Sequence, residues 1–205
     1  MDQNNLLNTN EFAKKLYDYI SNSKNEIIFF SPFIKINALK FITRNLNSSI
    51  KVKIITKLSM NDIIEGSSDF EICNYALENS WSIGLIKNLH AKLYIFDSSK
   101  VLIGSNNLTS SGLGIDKEGN TELGINFSPD LKANHVINDL IKNVNWLDEE
   151  KVNIMNEILN KIEKQNIKSF ENFSWPDEIY TIKNEFLLFS SNFPDISPED
   201  HKIGV

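Results

Sequence analysis

Short, continuously apolar runs alternate with segments of helical periodicity between residues 10 and 86, and this alternation limits the fold more than any other feature. Glu26-Ile-Ile-Phe-Phe-Ser31, closed by Pro32, is one such run; Lys51–Thr56 and Ser82–Ile86 are the next two. Runs of this length suit strands buried on both faces. Phe12, Ala13, Leu16, Tyr19 and Ile20 recur at helical spacing after Thr9-Asn10-Glu11, so residues 10–23 read as an amphipathic helix, and 36–47 and 68–79 read as two more. Strands alternating with helices of this size imply α/β units: a mixed, mostly parallel central sheet flanked by helices on both faces.

Beyond residue 90 the pattern changes. Ala91–Phe96 and Val101–Ile103 are separated only by Asp97-Ser-Ser-Lys100, which predicts a hairpin and hence a mixed sheet. A loop rich in Gly, Ser and Asn follows over 104–119, then a strand over 121–127 and a helix opened by Pro129 and running to about Val144. Residues 148–165 read as a polar helix, and 166–205 show no clean period. The chain therefore divides into a main domain, 1–147, and a C-terminal extension, 148–205.

Charge divides at the same place. The chain has 205 residues and a formal net charge of −6, and after residue 147 there are 12 acidic and 6 basic side chains, so the first part is neutral. That balance excludes a protein whose whole surface is a basic glove for nucleic acid; any such contact must be local. A single cysteine, Cys73, allows no internal disulfide, and no Cys/His cluster suggests zinc. Neither a signal peptide nor a membrane-length apolar stretch is visible, so the expectation is a cytoplasmic protein with no membrane partner.

The chemistry-bearing stretch is His90-Ala-Lys92-Leu-Tyr-Ile-Phe-Asp97, followed six residues later by Gly104-Ser105-Asn106-Asn107. On a strand, His90 and Lys92 would project together while Ala91, Leu93 and Ile95 face the opposite layer. The hairpin would return Ser105 and Asn107 to the same end of the sheet, as donors for one small anion. Glu122, at the start of the next strand, is of the type that holds an imidazole in one tautomer, with Glu118 as a nearby competitor.

These residues spell HxK-x4-D-x6-GSxN, and the sequence strongly resembles the phospholipase D superfamily. With Leu108-Thr-Ser-Ser-Gly112-Leu113 it is similar to that superfamily's nuclease and restriction-endonuclease branch, over residues 10–147. The resemblance implies that His90 attacks phosphorus to give a phosphohistidine, that Lys92 and Asn107 bind the non-bridging oxygens, that Ser105 supports the phosphate pocket and that Glu122 orients His90. It implies no metal and no other cofactor. Asp97, at the far end of its strand, reads as a structural turn residue. Two histidines are needed, one to attack and one to protonate the leaving oxygen, yet neither His135 nor His201 has a lysine two residues on. Single-motif members dimerise, so the resemblance implies a homodimer sharing one active site.

The substrate expected is nucleic acid, DNA before RNA, with a phospholipase or phosphatidyl transferase as the alternative and a catalytically silent assembly module as a third reading. An ATPase or DNA-recognition partner, as in a bacterial defence or restriction system, would supply specificity. Between Ile27 and Asn61 the only charged residues are basic: Lys35, Lys40, Arg44, Lys51, Lys53 and Lys57. They could form a strip tracking a nucleic-acid backbone, with Lys35, Lys40 and Arg44 as the leading contacts, or a solvated face. Between Phe170 and Phe193 five Phe, one Trp and one Tyr cluster among acidic residues, either capping the domain's own core or docking a second subunit or partner.

Overall fold

Ile27, Ile28, Phe29 and Phe30 are all fully buried, as a strand covered on both faces requires. In the computed structural model, which describes residues 5–116, 119–164 and 174–181, this strand is β2 (Glu26–Phe30). The other strands are β1 (Asn5–Asn8), β3 (Lys51–Thr56), β4 (Ser82–Leu85), β5 (Leu93–Phe96), β6 (Lys100–Gly104), β7 (Leu123–Phe127) and β8 (Asn145–Leu147). They form one eight-stranded sheet in the order β1-β7-β6-β5-β2-β3-β4-β8.

The sheet is mixed, as expected, but its parallel share is smaller than the repeating α/β pattern suggested. Only β2–β3 and β3–β4 pair in parallel; the other five pairings are antiparallel. The two edge strands were not visible in the sequence, because Asn5-Leu-Leu-Asn8 and Asn145-Trp-Leu147 are too short and too polar to show an alternation. Each is defined by its partner, β7 for the first and β4 for the second.

Helices cover both faces. On one, α1 (Thr9–Asn22), α2 (Ile36–Thr43), α4 (Glu71–Glu78) and α6 (Glu149–Lys164) enclose a large apolar cluster. On the other, α5 (Leu131–Lys142) covers a smaller cluster built on Ile28, Phe30, Ile55, Leu93 and Ile95. α1 begins where expected because Asn8 and Glu11 form a reciprocal capping box. α3 (Met60–Ile64), a single short turn capped by Ser59, was not expected. α5 starts after Pro129, with Asp130 as the cap accepting from the Ala133 N–H at 2.8 Å.

The boundary drawn at residue 147 does not divide the core. Val152 and Met155 of α6, together with Trp175 and with Ile179 of the short helix α7 (Asp177–Tyr180), belong to the same apolar cluster as the sheet. The Trp175 indole N–H donates to the Leu58 carbonyl at 2.7 Å, and its ring meets Phe70 at 6.3 Å. For Trp175 the capping reading therefore holds. Phe170, Phe173, Phe186, Phe189 and Phe193 lie outside the described residues, as do Glu118 and His201.

Candidate active site at the carboxyl edge of the parallel strands

β5 runs antiparallel to β2, and Leu93 pairs with Phe30, so the start of β5 meets the carboxyl end of β2. That edge is also where β3 and β4 end. Ligands of open α/β sheets bind outside the carboxyl ends of the strands, where strand direction or order switches. His90, Lys92 and the Gly104 loop all arrive here.

His90 and Lys92 themselves precede the strand, which begins at Leu93. Their common placement comes instead from a local bond: the Lys92 ammonium donates to the His90 carbonyl at 3.1 Å. The alternation expected for their neighbours is kept, with Leu93 and Ile95 in one apolar cluster and Tyr94 and Phe96 in the other. The environments of the two differ sharply. His90 is exposed and its ring makes no hydrogen bond among the described residues, whereas Lys92 is only 8% exposed. Burial lowers the Lys92 pKa below the ordinary lysine value, and the Glu122 carboxylate opposes that by favouring the charged ammonium.

The loop after β6 is pinned at several points. Gly104 N–H donates to the Lys92 carbonyl at 3.2 Å, and Ser105 N–H to Leu123 at 2.9 Å. A Cβ at Gly104 would lie 2.6 Å from the Leu123 carbonyl, so the approach of β7 requires glycine. Buried Tyr94 donates to the Asn106 carbonyl at 2.8 Å, and the Asn106 amide reaches the Gly112 carbonyl at 2.9 Å. Ser31, just after β2, accepts from Leu108 N–H at 3.0 Å. Asn107 is thereby fixed between two anchors, and its side-chain oxygen is buried with no hydrogen-bond partner among the described residues. An unpaired buried acceptor of this kind costs about 1–3 kcal/mol, which only a hydrogen-bond donor could recover.

Glu122 departs from its expected role. Its carboxylate accepts from the Ser105 hydroxyl and, at 3.0 Å, from the Asn120 amide, and no hydrogen bond joins it to His90. Ser105 correspondingly directs its one hydroxyl proton at Glu122 and accepts from Leu123 N–H at 3.1 Å; it supports the pocket through Glu122 rather than by pointing a donor at an anion. Two residues that sequence reasoning missed complete this network: Asn120, and Thr9, whose hydroxyl accepts from the Glu122 N–H at 2.9 Å. Asn120 could have been found from its place two residues before Glu122; Thr9, 113 positions away, left no local signal.

Asp97 is structural, as read. At the opposite end of the sheet its carboxylate accepts from the backbone N–H groups of Lys24, Asn25 and Glu26 at 2.8–3.0 Å.

The basic strip does not survive as a unit. Lys35 pairs with Asp69, Lys57 with Asp62 at 3.0 Å and Lys53 with Glu26 at 2.8 Å, all with acids outside the stretch that looked purely basic. Lys51 lies at the end of the sheet away from His90, since it pairs with Glu26 at the start of β2, and Lys53 pairs with Ile28 midway along that strand. Lys40 and Arg44 are exposed on α2 and at its C-cap, over the rings of Tyr75 and of Phe41 and Tyr17 respectively.

A mixed α/β sheet bearing one histidine–lysine pair and one asparagine loop at its carboxyl edge defines the class of domain. The family model described as the cardiolipin synthase, PLD-like domain matches residues 16–144, and the chain belongs to the phospholipase D-like family. NucT from Helicobacter pylori is similar in structure at 18% identity and a TM-score of 0.52, covering 69% of this chain and 97% of NucT. Nuc from Salmonella typhimurium, a phospholipase D family member, aligns at 17% identity and a TM-score of 0.50, over 67% of this chain and 91% of Nuc. Phosphatidylserine synthase from Haemophilus influenzae aligns at 16% identity and a TM-score of 0.57, over 72% of this chain but 37% of the synthase. No curated protein sequence matches significantly. Among the described residues no helix is long and apolar enough to cross a membrane.

Proposed function

We propose that this chain is a phosphodiesterase that cuts nucleic acid, DNA foremost, through a phosphohistidine formed in an active site shared by two copies. The observation that carries the reading is the set of three groups at one edge: an exposed imidazole at His90, a buried ammonium at Lys92 and, at Asn107, a side-chain NH2 group that donates to none of the described residues. Nucleophile, fixed charge and vacant donor are what attack on a phosphodiester needs.

In this mechanism an unprotonated His90 nitrogen attacks phosphorus, a P–N bond forms and the P–O bond to the leaving group breaks. Lys92 and the Asn107 amide hydrogen-bond the non-bridging oxygens as their charge rises. The second copy's imidazolium protonates the departing oxygen. As imidazole, it then takes a proton from water, whose oxygen displaces His90 and restores the starting site.

Two features support the nuclease reading over the lipid one. This chain spans nearly the whole of NucT and of Nuc but little more than a third of the phosphatidylserine synthase. A second copy also has a surface to meet: Leu6, Ile103 and Leu123 are 69%, 39% and 55% exposed on the side of the sheet facing away from α1, and the last two adjoin Gly104 and Glu122. A partner protein of the ATPase or DNA-recognition kind, in a bacterial defence setting, would add specificity to this core.

The test incubates purified protein with single-stranded DNA, duplex DNA and RNA in excess EDTA, beside His90→Ala. Cleavage that withstands chelation and disappears in the variant is expected. Hydrolysis of phospholipid without nucleic-acid cleavage would overturn the substrate.

A further inference from the structure

Because β2, β3 and β4 are parallel, the residues leaving their carboxyl ends line up along one edge, beginning beside the catalytic hairpin. Outward from β5 these are Phe33 after β2, Lys57 after β3 and Lys87 after β4. Phe33 adjoins the asparagine loop, since the next residue, Ile34, bridges Leu108. Lys57 and Lys87 are neighbours across the next pair, because Ile86 N–H donates to the Thr56 carbonyl at 3.0 Å. Neighbouring strands lie about 4.8 Å apart, so the three positions span roughly 10 Å.

Each of these lysines sits over an aromatic ring. The Lys57 ammonium is 5.0 Å from the Phe33 centroid, and the Lys87 ammonium is 5.7 Å from that of Tyr180. Both rings are half-buried. Lys57 also pairs with Asp62 at 3.0 Å, which fixes it and offsets part of its charge. Lys87 is exposed and makes no ion pair among the described residues.

The geometry points to a binding track for an unpaired nucleic-acid strand, running from His90 past Phe33 and Lys57 to Lys87 and Tyr180. This rests on the nucleic-acid reading above and deepens it by naming the strand type and the surface. Non-specific single-strand sites combine rings on which bases stack with cations that follow the phosphates, and here the two alternate. A duplex hides its base faces and would leave both rings unused. A lipid surface would call for projecting apolar side chains, whereas here each ring is half-buried with an ammonium group beside it.

The experiment measures anisotropy of fluorescein-labelled oligothymidine and of a duplex of equal length on the full chain carrying His90→Ala. Lys87→Glu, Tyr180→Ala and Phe33→Ala are then added singly. Each ring substitution is expected to weaken oligothymidine binding about tenfold, from the loss of one stacked base. Lys87→Glu should weaken it too and reduce the salt slope by about one. Lys87 is exposed, so this variant keeps the test decisive even where a ring substitution disturbs folding. Unchanged affinity in Lys87→Glu, equal affinity for duplex, or dependence seen only with phosphatidylglycerol vesicles would overturn the track. Hydrolysis of bis(4-nitrophenyl) phosphate by the parent chain, with His90 intact, reads the chemistry alone. If that diester is cleaved while strand affinity ignores the substitutions, the track fails and the enzyme reading stands. Track-dependent binding without cleavage of the diester or of any nucleic acid would sink the enzyme reading instead.

Discussion

The Ser105 hydroxyl donates to the Glu122 carboxylate, and that bond ties Glu122 to the loop after β6 instead of to His90. Glu122, itself only 8% exposed, thereby becomes a fixed negative charge near buried Lys92. Its effect on catalysis should run through Lys92.

Glu122→Gln tests this by pH. Burial lowers the Lys92 pKa and Glu122 raises it, so removing the carboxylate lets the pKa fall further. In the proposed mechanism Lys92 must be charged to stabilise the oxygens around phosphorus, so activity should be lost as pH rises through its pKa. The alkaline limb of the kcat/KM profile should therefore move to lower pH in Glu122→Gln and return in Glu122→Asp. An alkaline limb that stays in place would show that Glu122 does not act on Lys92.

Lys92 and Asn107 should differ in what their loss does. Lys92→Met removes the cation that the proposed mechanism uses in the transition state and should lower kcat about 10²–10³-fold. Asn107→Ala removes the same order of transition-state stabilisation and also relieves an unpaired buried oxygen, so the variant should be at least as stable as the parent in urea. A clear loss of stability would mean that the Asn107 amide holds the loop together.

Asp97 offers a stability test remote from the chemistry. Its carboxylate serves three backbone donors, so Asp97→Ala should cost about 3 kcal/mol in denaturant unfolding, at the upper end for hydrogen bonds to a charged group. Its φ of 48° lies in the left-handed region, which Asn tolerates and most residues do not, so Asp97→Asn should recover part of that loss. Activity per folded molecule should be unchanged in both.

Trp175 decides whether the segment after residue 147 is appendage or core. Trp175→Ala should destabilise by about 3–5 kcal/mol, because the ring is 2% exposed and its N–H serves Leu58. Truncation before Trp175 should give an unstable or insoluble protein; a stable, active remnant would return this segment to the status of an extension.

What could be read beforehand was what is local. β2, β3 and β4 announce themselves as apolar runs, α1 as a periodic segment with its capping box, and the β5–β6 hairpin as a four-residue gap. The HxK and GSxN spacing placed His90, Lys92 and Asn107 at one sheet edge because a hairpin returns on itself. What escaped depends on distant partners. β1 exists only by pairing with β7, Thr9 reaches Glu122 across 113 positions, and Lys35 and Lys53 lose their free charge to Asp69 and Glu26. A charge run in sequence says nothing of the acids folded against it.

The last prediction concerns the second copy. The proposed chemistry takes one imidazole as nucleophile and another as acid, and each chain brings one His90. Leu6, Ile125 and Ile103 lie in register across β1, β7 and β6, with Leu123 two residues from Ile125 on the same side. They continue the face on which Val101 and Leu93 are buried, but Leu6, Ile103 and Leu123 remain exposed. An open apolar sheet face beside an incomplete site is best covered by the chain that completes it. Leu123→Lys combined with Ile103→Glu should convert a dimer at micromolar concentration to monomer by light scattering. DNA cleavage should fall in parallel, while circular dichroism stays that of the parent. Mixing wild type with excess His90→Ala subunits should lower activity beyond simple dilution, since mixed pairs hold a single imidazole. A fully active monomer, or a mixture whose activity merely scales with the wild-type fraction, would rule out the shared site.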